Sequence, residues 1–273
     1  MLDSIIMLVG VFVVAFLFAP VGMGGGMLFA PLLHYVADWP IDSTLLAVSL
    51  GLTWAVSIGS GLRHRKEGMY DSEATRSALV GAVIGALLGV AIVAALGEGL
   101  DMVFKLLSVA MLGWALRKTY GKLSDGEPTR AAGKQVHENQ TVRHGPLRLG
   151  AGAGGALSSV LGIGAGVIYV PVLQQSAGLE PRTSIGSSLS IMMVVVPIAV
   201  ATLLFTSQNG ALSSITDQPW WFYALPFVAY GGATAGAHFG IQHISTTNIM
   251  RVFMALIAVI LLRYVVDLAS VML

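Results

Sequence analysis

"VGMGGGMLFAP", residues 21–31, interrupts an apolar stretch running from about Ser4 to Tyr35. Four of these residues are glycine: Gly22, Gly24, Gly25 and Gly26. Glycine costs roughly 1 kcal/mol more than alanine inside a helix, so four together predict a break. An unbroken helix over this stretch would be about 48 Å long, against a hydrocarbon core of about 30 Å. The stretch therefore predicts two short arms rather than one crossing.

A second stretch repeats the pattern. "GMGGGMLFAPLL" at 22–33 aligns without gaps on "GIGAGVIYVPVL" at 162–173, which lies in another overlength apolar segment, 147–177. Further matches follow in the same order. "AVSL" (47–50) corresponds to "GSSL" (186–189), placing Ser49 opposite Ser188, and "GALLG" (85–89) corresponds to "GATAG" (232–236). Lys105 and Arg117 correspond to Arg251 and Arg263, with the same separation in both halves. Four ordered matches identify a duplicated unit of about half the chain.

Composition supplies the solvent. The chain is 55% hydrophobic and 11% charged with a mean hydropathy of +0.79, whereas a soluble domain is about 25% charged. Single crossings are expected near 44–62, 77–96, 101–117, 184–205, 220–240 and 247–266. The fold class is thus an all-α polytopic membrane protein built from two helical repeats, with broken or hairpin helices meeting at a central site. The first repeat spans 1–120, a hydrophilic linker 121–146, and the second repeat 147–273. The N-terminus, MLDS, lacks the positive n-region of a signal peptide, so the first segment is expected to remain in the protein.

The paired glycine elements, Gly22–Leu33 and Gly162–Leu173, each followed by a small-residue/Ser-Leu element, resemble the TauE/SafE (sulfite exporter) family of bacterial membrane transporters. The resemblance covers essentially the whole chain. It implies export or uptake of a sulfur-containing anion, such as sulfite or a small organosulfonate, across the bacterial inner membrane.

The residues themselves suit an anion. A helix start offers unpaired N–H groups and about half a positive charge. Discontinuous helices in duplicated transporters place such starts near the bilayer midplane. The candidate binding residues are Gly24, Gly25 and Gly26 in one half, with Gly164, Ala165 and Gly166 in the other. Ser49, Ser187 and Ser188 are candidate hydroxyl donors, with Thr53 and Ser190 behind them; a hydroxyl bonded to its own helix is the competing reading. Gly81, Gly85, Gly89, Gly232 and Gly236 read as close-packing residues.

His34 and His238 are candidate coupling groups, against the plainer reading of interfacial or packed histidines. Lys105 and Arg251 read first as interfacial anchors. The cluster Trp220-Trp221-Phe222-Tyr223 reads as an interfacial belt.

Other classes lack their residues. With 0 cysteines there is no thiolate site, and neither His-Glu-x-x-His nor Gly-x-Ser-x-Gly occurs. No enzyme, metal or cofactor is expected. Net charge is +1, which argues for no nucleic acid. The expected partners are the anion and the bilayer, with a homodimer an admissible assembly. A passive anion channel, or a transporter of another small organic anion, is the alternative.

Arg63-His64-Arg65-Lys66 and the Lys118–Arg148 stretch are basic, hence cytoplasmic by the positive-inside rule. The loop equivalent to the first cluster, "TSQNGALSSITDQP" (206–219), has no Lys or Arg. This contrast predicts inverted halves with both termini outside.

Overall fold

The computed structural model describes residues 2–21, 25–124, 142–207, 211–242 and 246–272. Among the described residues there are helices and turns and no strand. The first half contains α1 (Leu2–Phe18), α2 (Gly26–Val36), α3 (Ser43–Lys66), α4 (Ser72–Leu96) and α5 (Leu100–Ser124). The second contains α6 (His144–Leu161), α7 (Gly166–Ala177), α8 (Pro181–Thr206), the short α9 (Ala211–Thr216), α10 (Leu225–Gln242) and α11 (Thr246–Met272).

The starts and stops follow local chemistry. Asp42 caps α3 by accepting from the Leu45 N–H at 2.9 Å, and Asp71 caps α4 through the Ala74 N–H at 2.7 Å. Gly97, at φ 50°, separates α4 from α5. The expected span at 220–240 starts later than its apolar run, because Trp220–Ala224 forms a 3₁₀ turn before α10.

Both overlength segments fold back on themselves. A Cβ placed on Gly10 in α1 would lie 3.1 Å from the Leu32 side chain in α2. In the second half, a Cβ on Gly154 in α6 would lie 2.7 Å from the Tyr169 ring in α7, and the Arg143 N–H donates to the Ser176 carbonyl at 2.9 Å. Residues this far apart in sequence meet only if each pair is a hairpin with both ends on one side. The tips of the hairpins are the glycine-rich elements.

The surface of α4 shows which solvent the fold faces. Val80, Ile84, Leu88 and Ile92 are about half exposed, whereas Ala78, Ala82 and Ala86 are fully buried. Large apolar side chains point outward and small ones inward, the reverse of a water-soluble helix and the pattern of a lipid-facing one. Among the described residues, Ser43–Lys66, Pro181–Thr206 and the α4–α5 run Ser72–Arg117 are long and apolar enough to cross a membrane.

The halves interlock. Gly81, Gly85 and Gly89 of α4 abut the carbonyls of Arg148, Gly152 and Ala156 on α6, so any side chain there would strike backbone. Gly232 and Gly236 of α10 abut the carbonyls of Phe12 and Phe16 on α1 in the same way. Since α4 matches α10 and α6 matches α1, one packing arrangement occurs twice with the halves exchanged. Counterpart helices also meet each other. Ser43 donates to Ser207 at 2.9 Å and the Trp54 indole donates to the Met193 carbonyl at 3.0 Å, so α3 and α8 run antiparallel. Lys105, near the start of α5, reaches Asp267, near the end of α11, so this pair is antiparallel as well.

Candidate functional site

The hairpin tips meet at the centre of the fold. A Cβ built on Gly26 would lie 2.6 Å from the Ile163 carbonyl carbon and 2.5 Å from the Thr53 hydroxyl oxygen. One built on Gly164 would strike the Thr53 methyl and lie 3.1 Å from the Met192 sulfur. Thr53 on α3 therefore sits where the two tips cross. Only residues without a side chain allow this approach.

The starts of α2 and α7 share one geometry. Gly25 precedes α2 at φ 74°, ψ −12°, and Ala165 precedes α7 at φ 57°, ψ 13°; neither start is capped by a side chain. The Gly25 carbonyl accepts from Leu28 at 3.0 Å, and the Ala165 carbonyl from Ile168 at 2.9 Å. The N–H groups of the first helical residues, Gly26 and Gly166, precede these bonds and lie at the positive end of each helix. Ala165 holds its left-handed conformation despite a Cβ, a strain of about 1–2 kcal/mol that glycine avoids at position 25. Gly24 lies outside the described residues.

The serines divide into three situations. Ser49 donates to the Gly162 carbonyl at 2.8 Å, tying α3 to the second tip. Ser187 accepts from the Asp71 N–H at 3.0 Å, so it secures the start of α4 rather than facing the tips. Ser188 is fully buried and its hydroxyl has no partner. Of the supporting candidates, Ser190 accepts from the Arg65 guanidinium at 2.9 Å and Thr53 donates to the Ser49 carbonyl at 3.0 Å. A buried unpartnered hydroxyl is costly, about 1–3 kcal/mol, and marks Ser188 as the free donor of the set.

A longer polar line runs down α3. Ser49, Thr53, Ser57, Ser60 and His64 are all buried, spaced by four, four, three and four residues. Ser60 donates to the Ala19 carbonyl at 2.7 Å, just before the first break, and the His64 Nδ1 lies 2.9 Å from the Ser60 carbonyl. Ser57, Ser60 and His64 escape a motif-based reading, although helical spacing alone places them on one stripe with Ser49.

The remaining candidates are more peripheral. His238 is exposed on α10, its ring beside Phe239. His34 is half-buried at the far end of α2 from the tip. Lys105 is not a lone interfacial anchor: it is buried and bridges Asp101 at 3.0 Å and Asp267 at 3.5 Å. Asp267 is absent from the sequence-based candidates because its partners lie in α2 and α5.

Comparison with known proteins gives the family. The profile of the family described as "Sulfite exporter TauE/SafE" matches residues 6–264, both hairpins included. The chain belongs to the TauE/SafE family. A protein of Xylella fastidiosa (strain 9a5c) described as a "Probable membrane transporter protein" is 30% identical over 228 residues, covering 82% of this chain and 78% of that relative. No solved structure matches. The TauE/SafE assignment makes this chain a member of a family of membrane transporters, and its two crossed glycine-rich tips are the hairpins that the profile spans.

Proposed function

We propose that this TauE/SafE member is a secondary transporter, an exporter of a sulfur-containing anion such as sulfite or a small organosulfonate, in the bacterial cytoplasmic membrane. The anion is held between the hairpin tips by the backbone N–H groups at Gly25, Gly26, Ala165 and Gly166, with the Ser188 hydroxyl adding a donor. Two opposed helix starts attract an anion without a buried cation, which favours release as well as capture. The observation carrying this reading is the contact of the uncapped start of α2, at Gly26, with Ile163 in the second tip, just ahead of the uncapped start of α7.

That contact also gives the mechanism its moving part. With Gly26 against Ile163 the tips are closed, so an anion enters when they separate and leaves when they separate towards the other side. The repeats, 1–120 and 147–273, move against each other as inverted units joined by the 121–146 linker. The antiparallel pairing of α3 with α8 and α5 with α11 supports the inversion, as does a count of one hairpin and three crossings per half. The buried line from Ser49 to His64 leads from the tips towards the basic end of α3 and gives the inner half of the route a polar wall.

The test is a proteoliposome and thermal-shift screen of sulfite, thiosulfate, sulfoacetate, taurine, sulfate and carboxylates. Sulfur oxyanions should stabilise the protein and be transported in preference to carboxylates and chloride. Equal responses from sulfonates and carboxylates remove the sulfur assignment. Counterflow of labelled substrate distinguishes a transporter from a passive channel, which shows none.

A further inference from the structure

The outer end of α2 carries a cluster that the anion site does not use. The His34 Nδ1 lies 2.7 Å from the Trp39 carbonyl oxygen, which can only accept. The ring proton of neutral His34 is therefore on Nδ1, leaving the Nε2 lone pair as the site for a second proton. Nε2 faces the Asp267 carboxylate of α11 at 3.9 Å, too long for a hydrogen bond.

The other groups around Asp267 are also defined. Tyr35 of α2 donates its hydroxyl to the same carboxylate oxygen at 3.1 Å. Lys105 of α5 is shared between Asp267 and Asp101. Arg263 of α11 lies over the Tyr35 ring, 5.3 Å from its centroid. Two carboxylates thus share one ammonium, while the Arg263 guanidinium, still charged, stacks on the Tyr35 ring.

We propose that His34 and Asp267 form a proton-binding site that couples proton uptake to movement of the first hairpin. A proton adding to Nε2 gives an imidazolium whose new N–H is directed at the Asp267 carboxylate. The gap then closes into a charge-assisted hydrogen bond that draws the end of α2 towards α11. Because α2 is a single short helix, Gly26 at its other end moves with His34.

The second hairpin has no such device. Its residues matching His34 and Asp267 are Gln174 and Gly121. Side-chain exposures of 20% for His34 and 31% for Asp267 leave both groups accessible from outside the fold, at the end where α1 begins and α11 ends.

This inference rests on the transport reading, and the experiment separates the two. Purified full-length protein is reconstituted, and sulfite or sulfoacetate flux is followed with and without an imposed pH gradient, alongside counterflow at equal pH. His34→Gln and Asp267→Asn should each lose the gradient response while retaining counterflow. Nitrogen-15 histidine NMR gives a readout independent of substrate. Neutral wild-type His34 should carry its ring proton on Nδ1, and Asp267→Asn should alter the Nε2 signal. A wild-type gradient response in His34→Gln, or a His34 Nε2 signal unchanged by Asp267→Asn, overturns the coupling site. Absence of any anion-induced thermal shift or counterflow in the wild type overturns the transport reading instead.

Discussion

The Ser49 hydroxyl donates to the Gly162 carbonyl at 2.8 Å, whereas Ser188, its counterpart in the second half, is buried without a partner. Sequence equivalence therefore conceals a difference in chemistry. Ser49→Ala should lower apo stability by about 1 kcal/mol, one net hydrogen bond. Ser188→Ala should leave apo stability unchanged or slightly raised, and should shrink the anion-induced thermal shift. Equal apo losses in both variants would show that Ser188 is paired.

The tip conformations make a second prediction. Ala165→Gly should stabilise the protein by roughly 0.5–1 kcal/mol, because glycine relieves the left-handed strain while adding chain entropy in the unfolded state. Gly25→Val should abolish transport and the ligand shift, since a β-branched side chain is incompatible with φ 74°. Melting curves with and without ligand decide the matter. A full ligand shift in a destabilised Gly25→Val protein would make the break architectural rather than anion-binding.

A packing control lies at Gly85. A Cβ there collides with the Gly152 carbonyl on α6, and backbone has no rotamer with which to yield. Gly85→Val should cost about 1–3 kcal/mol or more and reduce stability and transport together. A variant of unchanged stability would contradict the contact between α4 and α6.

Topology can be read with single cysteines, because the chain has none of its own. Glu67→Cys follows the basic end of α3, and Ser214→Cys lies in the short helix α9 that follows α8. Membrane-impermeant maleimide on intact cells should label position 214 and leave position 67 unmodified. Labelling of both from the same side would refute inverted halves.

Much of the architecture was legible because it is written locally. Glycine clusters break helices wherever they occur, and their recurrence at the same offset announced two hairpins before any contact was known. The five packing glycines were likewise readable from spacings of four residues along one helix face. The serines were legible as candidates but not in their roles. Ser187 and Ser188 are adjacent in sequence, yet one anchors α4 and the other is free, because neighbouring helical positions point about 100° apart.

The amino-acid sequence by itself determined an apolar, duplicated, helical chain with two interrupted segments, because hydropathy and glycine content act over a few turns. Only the tertiary structure decided which tips cross, that Gly26 rests on Ile163, and that Tyr35 and Lys105 converge on Asp267. Tyr35 and Asp267 are 232 residues apart, and nothing in either local segment encodes the other. Their meeting follows from antiparallel packing of α5 against α11 beside the folded-back α2, a choice made by the close fit of interlocked helices rather than by the periodicity of any one of them.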